Sequence, residues 1–352
     1  MSGDRENESV FDLLQHRILT HYQEARMILD GKMPPPRTAI VYPTYVCNQN
    51  CVWCEYREEN EHLRTVMPDD KFRALMRELR ELGVAGTEFC GGGEPTLHPI
   101  LADVIRESKA NGMSIGLLTN GTKCCDELGE ALVDCASYVR VGFDGACAET
   151  VERVKRPKHP DVTFDAVCAN IREMIALRDA RGAGVRISMK VVLDSSNYDE
   201  LEDCVRLALD LGVDSIQFKA ARLCETELDA AQTAEVERRL AAIRAQNLAI
   251  PVVGGVEKLN MATKCWLTPL QIMIDPLGDV FLCCYYIHRR ESHRIGNAFE
   301  QPLHDIWYSE RHWEAIRNIH PPECNNLDCR FVRYNAIMTK LLVETDGQFE
   351  FI

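Results

Sequence analysis

The chain lacks the features that would take it to nucleic acid or into a membrane. Positive charge is in short supply: 40 Lys and Arg stand against 54 Asp and Glu, a formal net charge of −14. A surface of that sign repels polyanions, which excludes broad electrostatic binding to nucleic acid or to an anionic membrane face. No apolar run reaches the roughly 20 residues that a membrane-spanning helix needs. The opening "MSGDRENESV" is acidic and has no basic-then-apolar leader, so the expected location is cytoplasmic. Repeats of solenoid period and low-complexity tracts are also missing. The one concentrated basic run, "RVKRPKHP" at 153–160, reads as a solvated loop.

What the chain does have is length, apolar residues and sulfur. Its 352 residues suit two domains, and 46 % hydrophobic residues can build a sizeable core. Sixteen cysteines are many for a reducing compartment, where disulfides are not expected. Cys135, Cys168 and Cys204 lie in helix-like stretches and read as small buried hydrophobes. The others of interest cluster at 47/51/54 and at 265, 283/284, 324 and 329, as metal ligands do.

Residues 9–31 form an amphipathic pattern closed by Gly31, with Phe11, Leu14, Ile18, Tyr22 and Ile28 on one face, followed by the breaker "KMPPPR". From residue 38 strand-like pieces ("TAIVYPTYV", "GTEFC", "MSIGLLTN", "YVRVGFD", "VRISMKVVL", "DSIQFKA") alternate with helix-like segments at 69–83, 98–111, 126–134, 164–180 and 197–211. Such alternation implies parallel βαβ units. A strand buried between two helix layers is apolar on both faces. Here Arg140, Gly142 and Asp144, then Arg186, Ser188 and Lys190, then Ser215, Gln217 and Lys219 make one face polar. A doubly wound sheet is the rival, but the polar faces favour a partial (β/α)6 TIM-like barrel around a wet interior. The expected division is a helix and proline linker (1–37), the barrel (38–222), a connecting helix (223–258), a cysteine-bearing module opening on the hairpin "QIMIDPLGDVFLC" (259–340), and a tail (341–352).

The informative stretch is "CNQNCVWC", with Cys47, Cys51 and Cys54 in eight residues. Three thiolates on one loop favour a soft metal centre. Structural zinc wants four ligands, and the nearest extra one, His62, is eight residues beyond Cys54. An iron–sulfur cubane normally takes four cysteines, so three leave one iron open for chemistry. This Cys-x3-Cys-x2-Cys pattern, with Trp53 before the last cysteine, resembles the radical S-adenosylmethionine (SAM) superfamily. The resemblance continues, over about 38–220, in "CGGGEPTLHP" (Gly92, Gly93, Glu94, Pro95), in "LLTNGT" ending its strand at Asn120, and in Ser188 and Lys190 on the fifth strand. It implies a [4Fe–4S] cluster on the three cysteines, with SAM chelated at the open iron. The other named residues, Trp53 among them, would contact that cofactor. The cofactor supplies a 5′-deoxyadenosyl radical that takes hydrogen from a substrate.

Cys265 and Cys283, with Gly278 five before the second, resemble the opening of the SPASM and Twitch auxiliary-cluster modules, and Cys324 and Cys329 follow. Four thiolates hold one closed cluster, as in the shorter Twitch type; Cys284 is an alternative to Cys283, and a four-cysteine zinc knuckle is the metal alternative. The segment 296–313 is expected to cover this second cluster.

The expected substrate is a small polar metabolite: a sugar, aminocyclitol or nucleoside sugar undergoing oxidation, epimerisation or decarboxylation. Arg140, Arg186, Lys190 and Lys219, against Glu88 and Asp144, suit an anionic group on it. Arg140 and Asp144 are candidate catalytic residues, and Cys90, Cys147 and Cys224 candidate hydrogen donors. The expected electron donor is a flavodoxin or ferredoxin. Two alternatives stand beside this reading: a maturase acting on a ribosomally made precursor peptide, and a metal-stapled binding module without catalysis.

Overall fold

The computed structural model describes residues 17–259, 264–326, 329 and 331–344. Phe11 and Leu14 of the expected N-terminal helix, and most of the expected tail, lie outside the described residues. Ten strands make one sheet: β1 (Thr38–Val41), β2 (Gly86–Phe89), β3 (Ser114–Thr119), β4 (Ala136–Gly142), β5 (Arg186–Leu193), β6 (Ser215–Ala220), β7 (Val252–Gly255), β8 (Gln271–Ile274), β9 (Asp279–Phe281) and β10 (Arg294–Asn297). Their order is β10-β9-β8-β1-β2-β3-β4-β5-β6-β7. Pairing is parallel from β8 through β1 to β7, and antiparallel along β8-β9-β10.

The six strands expected of the barrel are β1 to β6. Between them run helices Asp69–Glu81, Leu101–Ala110, Asp126–Cys135, Ala148–Lys155, Phe164–Arg181 and Leu201–Leu211. Helix Asp69–Glu81 shows the pattern: it buries Phe72, Leu75, Met76 and Leu79, spaced three and four apart. Outward strand residues such as Val41, Phe89, Leu117, Val141 and Met189 meet them in one continuous core. That core also takes in Cys168 and Cys204.

Three differences from the sequence expectation matter. A seventh parallel strand, β7, extends the sheet beyond β6. Its run "VVGG" is too short and too glycine-rich to register as an alternating strand. The C-terminal hairpin is also not a separate sheet: β8 pairs with β1 along its length, Thr38 to Gln271 through Val41 to Ile274. An uncovered β1 edge would leave backbone N–H and C=O groups unpaired, and the hairpin satisfies them. Segment 296–313 does not cover the second cysteine group as expected. Leu303, Ile306 and Trp307 join the main core, Trp307 Nε1 donates to the Pro34 carbonyl (2.8 Å), and the Leu303 N–H donates to Glu78 (2.9 Å). Helix Tyr22–Leu29 packs with Trp266 and the helix Val332–Leu342. Among the described residues no helix is long and apolar enough to cross a membrane.

Candidate active site

The C-terminal ends of β1, β2 and β3 converge on the cysteine loop. The loop leaves β1 and is pinned to the helix after β4: the N–H of Asn50 donates to the Lys155 carbonyl (3.0 Å) and that of Val52 to Val154 (2.9 Å). Arg57 donates to the carbonyls of Cys51 (3.0 Å) and Val52 (2.9 Å). Burial, helped in each case by another of the three, pushes the Cys47, Cys51 and Cys54 thiols up to about 11, 12 and 11. Thiols so placed keep their protons at neutral pH until a metal displaces them. Asn60 Nδ2 donates to Cys54 Sγ (3.6 Å). Beside them in sequence, Trp53 Nε1 is buried with no hydrogen-bond partner among the described residues, an orphaned donor.

The glycines after β2 serve the protein's own packing. A Cβ on Gly93 would be driven into the Val46 carbonyl, and one on Gly92 (φ +66°) into the Tyr45 ring. Their absence lets the Gly93 N–H reach Thr44 and the Glu94 N–H reach Val46 (2.8 Å each), directly ahead of Cys47. Pro95 opens the short buried turn that follows. The Glu94 carboxylate is 3 % exposed and accepts from the Thr96 N–H (3.1 Å), the Thr96 hydroxyl (2.7 Å), the Thr119 hydroxyl (2.6 Å) and the Asn120 N–H (2.7 Å). Burial pushes this carboxyl up and those donors pull it back. Asn120 in turn donates to Asn48 Oδ1 (2.8 Å), inside the cysteine loop. The two conspicuous polar residues, Glu94 and Asn120, thus tie three loops together.

Below these loops lies the lumen, a cavity of about 1900 Å3 counting its open mouth. Arg140, Arg186, Ser188, Lys190, Gln217 and Lys219 line it, as the alternation of β4 to β6 implies. Ser215 donates to Ser188 (2.8 Å). Glu88 of β2 and Tyr138 of β4 meet across β3: a Cβ on Gly116 would collide with the Tyr138 ring, and its absence opens the slot through which Tyr138 donates to Glu88 (2.5 Å). Arg140 stands over the Tyr138 ring, 5.5 Å from its centre.

Other sequence candidates lie elsewhere. Asp144 is not in the lumen: it is 1 % exposed, 2.7 Å from Lys155, and accepts the Val192 N–H (2.6 Å). Cys147 is exposed, near Thr150 and Glu200. Cys224 sits by Thr226 (3.5 Å). Cys90 is buried among Tyr42, Tyr56 and Tyr286. None of these three is a lining residue of the lumen.

Cys265, Cys283, Cys324 and Cys329 line a second, small cavity. Arg289 donates to Cys324 Sγ (3.3 Å) and Cys283 Sγ (3.7 Å), and Asn335 to Cys265 Sγ (3.9 Å). Cys284 packs against the tyrosine cluster with Cys90 and does not line that cavity. Among the described residues no three His, Cys, Asp or Glu side chains converge as around a single ion; the thiols border a loop and a cavity. Sequence reasoning missed four groups: Lys155, Arg289, the Tyr138–Glu88 pair, and the tyrosines 42, 45, 56 and 286. The tyrosines flank the cysteine motifs in sequence, and that was the signal available.

Comparison with known proteins follows this division. The Radical SAM superfamily model matches residues 41–208, and that of the SPASM iron–sulfur cluster-binding domain matches residues 265–330. The chain is 24 % identical over 305 residues to a PqqA peptide cyclase of Streptomyces rochei, covering 82 % of this chain and 80 % of that one. It is 25 % identical over 319 residues (83 % and 88 % covered) to the tungsten-containing aldehyde ferredoxin oxidoreductase cofactor-modifying protein of Pyrococcus furiosus. It is 25 % identical over 304 residues (80 % and 71 % covered) to the mycofactocin maturase MftC of Mycolicibacterium smegmatis. In fold it is similar to Streptococcus suis SuiB, solved with precursor peptide SuiA: TM-score 0.68, 14 % identity, 95 % of this chain and 78 % of that one covered. The chain's cofactors are SAM, a [4Fe–4S] cluster and an auxiliary iron–sulfur cluster. The expectation of a sugar, aminocyclitol or nucleoside-sugar partner is overturned by these relatives, two of them a peptide cyclase and a maturase and none a sugar-modifying enzyme.

Proposed function

From a chain that belongs to the radical SAM superfamily and carries a C-terminal SPASM iron–sulfur domain, we propose a maturase that modifies a ribosomally made precursor peptide. The observation that carries this is the run of peptide-modifying relatives matched over about four-fifths of the chain. The lumen agrees: it is open at its mouth and lined by Ser188, Lys190, Gln217 and Lys219, polar groups that can meet the N–H and C=O groups of an extended peptide. A binding module without catalysis does not explain a radical SAM domain.

In this reading Cys47, Cys51 and Cys54 hold the SAM cluster, and Cys265, Cys283, Cys324 and Cys329 the auxiliary one. When bound, SAM and its cluster supply a radical that removes hydrogen from the peptide. The protein's own residues orient and exclude. Glu94 and Asn120 fix the three loops around the cofactor end, Trp53 Nε1 offers a donor there, and Ser188 and Lys190 present polar groups to it from β5. The lumen walls keep water from the reacting carbon and hold the peptide in one pose. The test is to incubate the anaerobically reconstituted protein with SAM, reductant and a library of precursor-like peptides. Peptide-dependent 5′-deoxyadenosine with a mass change on the peptide supports the reading. Turnover stimulated by sugars and indifferent to every peptide overturns it.

A further inference from the structure

The lumen has a charge imbalance. Among the described lining residues four cations, Arg140, Arg186, Lys190 and Lys219, stand against one carboxylate, that of Glu88, which accepts from Tyr138. Register places these groups in layers. Lys190 pairs with Gln217 in the layer nearer the cofactor end. Arg140 pairs with Ser188 one layer further from it, and Tyr138 with Arg186 one layer further again. Strand spacing and rise put the Arg140 and Arg186 backbones roughly 8 Å apart, within reach of one small anion. Neither arginine forms an ion pair with a carboxylate among the described residues. Arg140 instead lies over the Tyr138 ring, which holds its guanidinium toward the cavity.

A second, independent feature sits one layer up. Gln217 is 6 % exposed, lines the lumen, and its Oε1 has no hydrogen-bond partner among the described residues. A buried amide oxygen without a donor is costly unless a ligand supplies one. A peptide N–H is such a donor.

We propose that the lumen recognises a peptide carboxylate, gripped by Arg140 and Arg186, while Gln217 accepts an N–H of the same peptide. The inference rests on the peptide reading above and adds to it the charge of the segment selected. Guanidinium matches carboxylate geometry with two parallel N–H donors, so the site discriminates against the uncharged amide of the same shape. The carboxylate belongs either to an Asp or Glu side chain or to the peptide's C-terminus.

Calorimetric titration of the reconstituted protein with SAM tests this. The probes are a blocked alanine-rich pentapeptide with one central Glu, its Gln twin, and the Gln peptide with a free C-terminal acid. A charge-assisted contact predicts ten- to hundredfold tighter binding of one acid probe over the neutral twin. Preference for the Glu peptide identifies a side chain, and preference for the free acid identifies the terminus. Arg140→Gln or Arg186→Gln should bring the acid probe down to the level of its twin, while Arg140→Lys keeps part of the preference. Iron content and circular dichroism, matched to wild type, verify that each variant is folded. Equal binding of all three probes overturns this inference and leaves the peptide reading standing. Binding of none overturns both.

Discussion

The buried pair of Lys155 and Asp144 offers a sharp test of how the cysteine loop is supported. The two charges are 2.7 Å apart and their side chains 4 % and 1 % exposed. Lys155 Nζ also donates to the Gly142 carbonyl (2.8 Å), and the Lys155 carbonyl accepts from Asn50 inside the loop. Lys155→Met removes the cation, keeps the stem's volume, and strands a carboxylate in the interior. Breaking one side of a buried pair costs about 3–5 kcal/mol, whereas replacing both charges is close to neutral. Lys155→Met should therefore lower stability in equilibrium denaturation by that amount. The double variant Lys155→Met, Asp144→Asn should recover more than half, since Asn still accepts the Val192 N–H. The pH dependence has a definite sign. Burial alone would pull the Lys155 ammonium down; Asp144 beside it, together with Cys51 and Cys47, more than reverses this, so the folded pKa stands raised. Its stabilisation is then fully present below the unfolded value of about 10.4 and fades only as pH rises through the folded one. The gap between wild type and Lys155→Met should thus hold flat from neutral to mildly alkaline pH. A single-variant loss under about 1 kcal/mol, or a double variant worse than the single, would refute the reasoning.

Two further outcomes follow from the same geometry. Cys283→Ala should drop the iron count after reconstitution from about eight toward four, while Cys284→Ala should leave it unchanged, because Cys283 borders the second cavity and Cys284 the tyrosine cluster. Gly93→Ala should destabilise the protein by about 3 kcal/mol, read from the shift in denaturation midpoint, because the new methyl meets backbone at Val46 that cannot move aside.

Much of the barrel was legible because its strands carry a period of two and its helices a period near three and a half. The polar faces of β4, β5 and β6 led from alternation alone to a wet lumen lined by Arg140, Arg186, Ser188 and Lys190. Asp144 shows where alternation stops: its backbone turns to φ +62° just past β4, so parity no longer sets where its side chain points. The glycines of "CGGGEP" stood out in sequence, but the reason for Gly93 is a contact with Val46 some 47 positions earlier, which no local pattern encodes. The merging of the hairpin into the barrel sheet was likewise invisible, since pairing of β8 with β1 spans most of the chain. The substrate class was misjudged for a related reason. Lumen charge announces an anion, but it does not say whether the anion rides on a sugar or on a peptide.

The two halves of the auxiliary site are held by different means, and this fixes what metal removal should do. The hairpin half, with Cys283, is built into the barrel sheet through β8. It is also clamped by tyrosines: buried Tyr45 donates to Asp275 (2.9 Å) and lies 2.8 Å from the Tyr286 hydroxyl, and half-buried Tyr56 donates to the Cys284 carbonyl (3.1 Å). Phe281 stacks on Tyr286 at 3.9 Å, and Arg290 closes the cluster on Asp275 (2.8 Å). None of these contacts involves a metal. The other half, helix Pro321–Asn326, has little of this: Cys324 is its buried anchor, in a small cluster with Cys265 and Val332. A segment with so few apolar contacts draws its order from the ligand bonds. Chelation of the reconstituted protein should therefore raise amide hydrogen exchange in Pro321–Asn326 by orders of magnitude while β8 and β9 stay protected. Equal deprotection of the hairpin would show that the tyrosine clamp and the shared sheet do not hold it, and that both halves depend on metal alike.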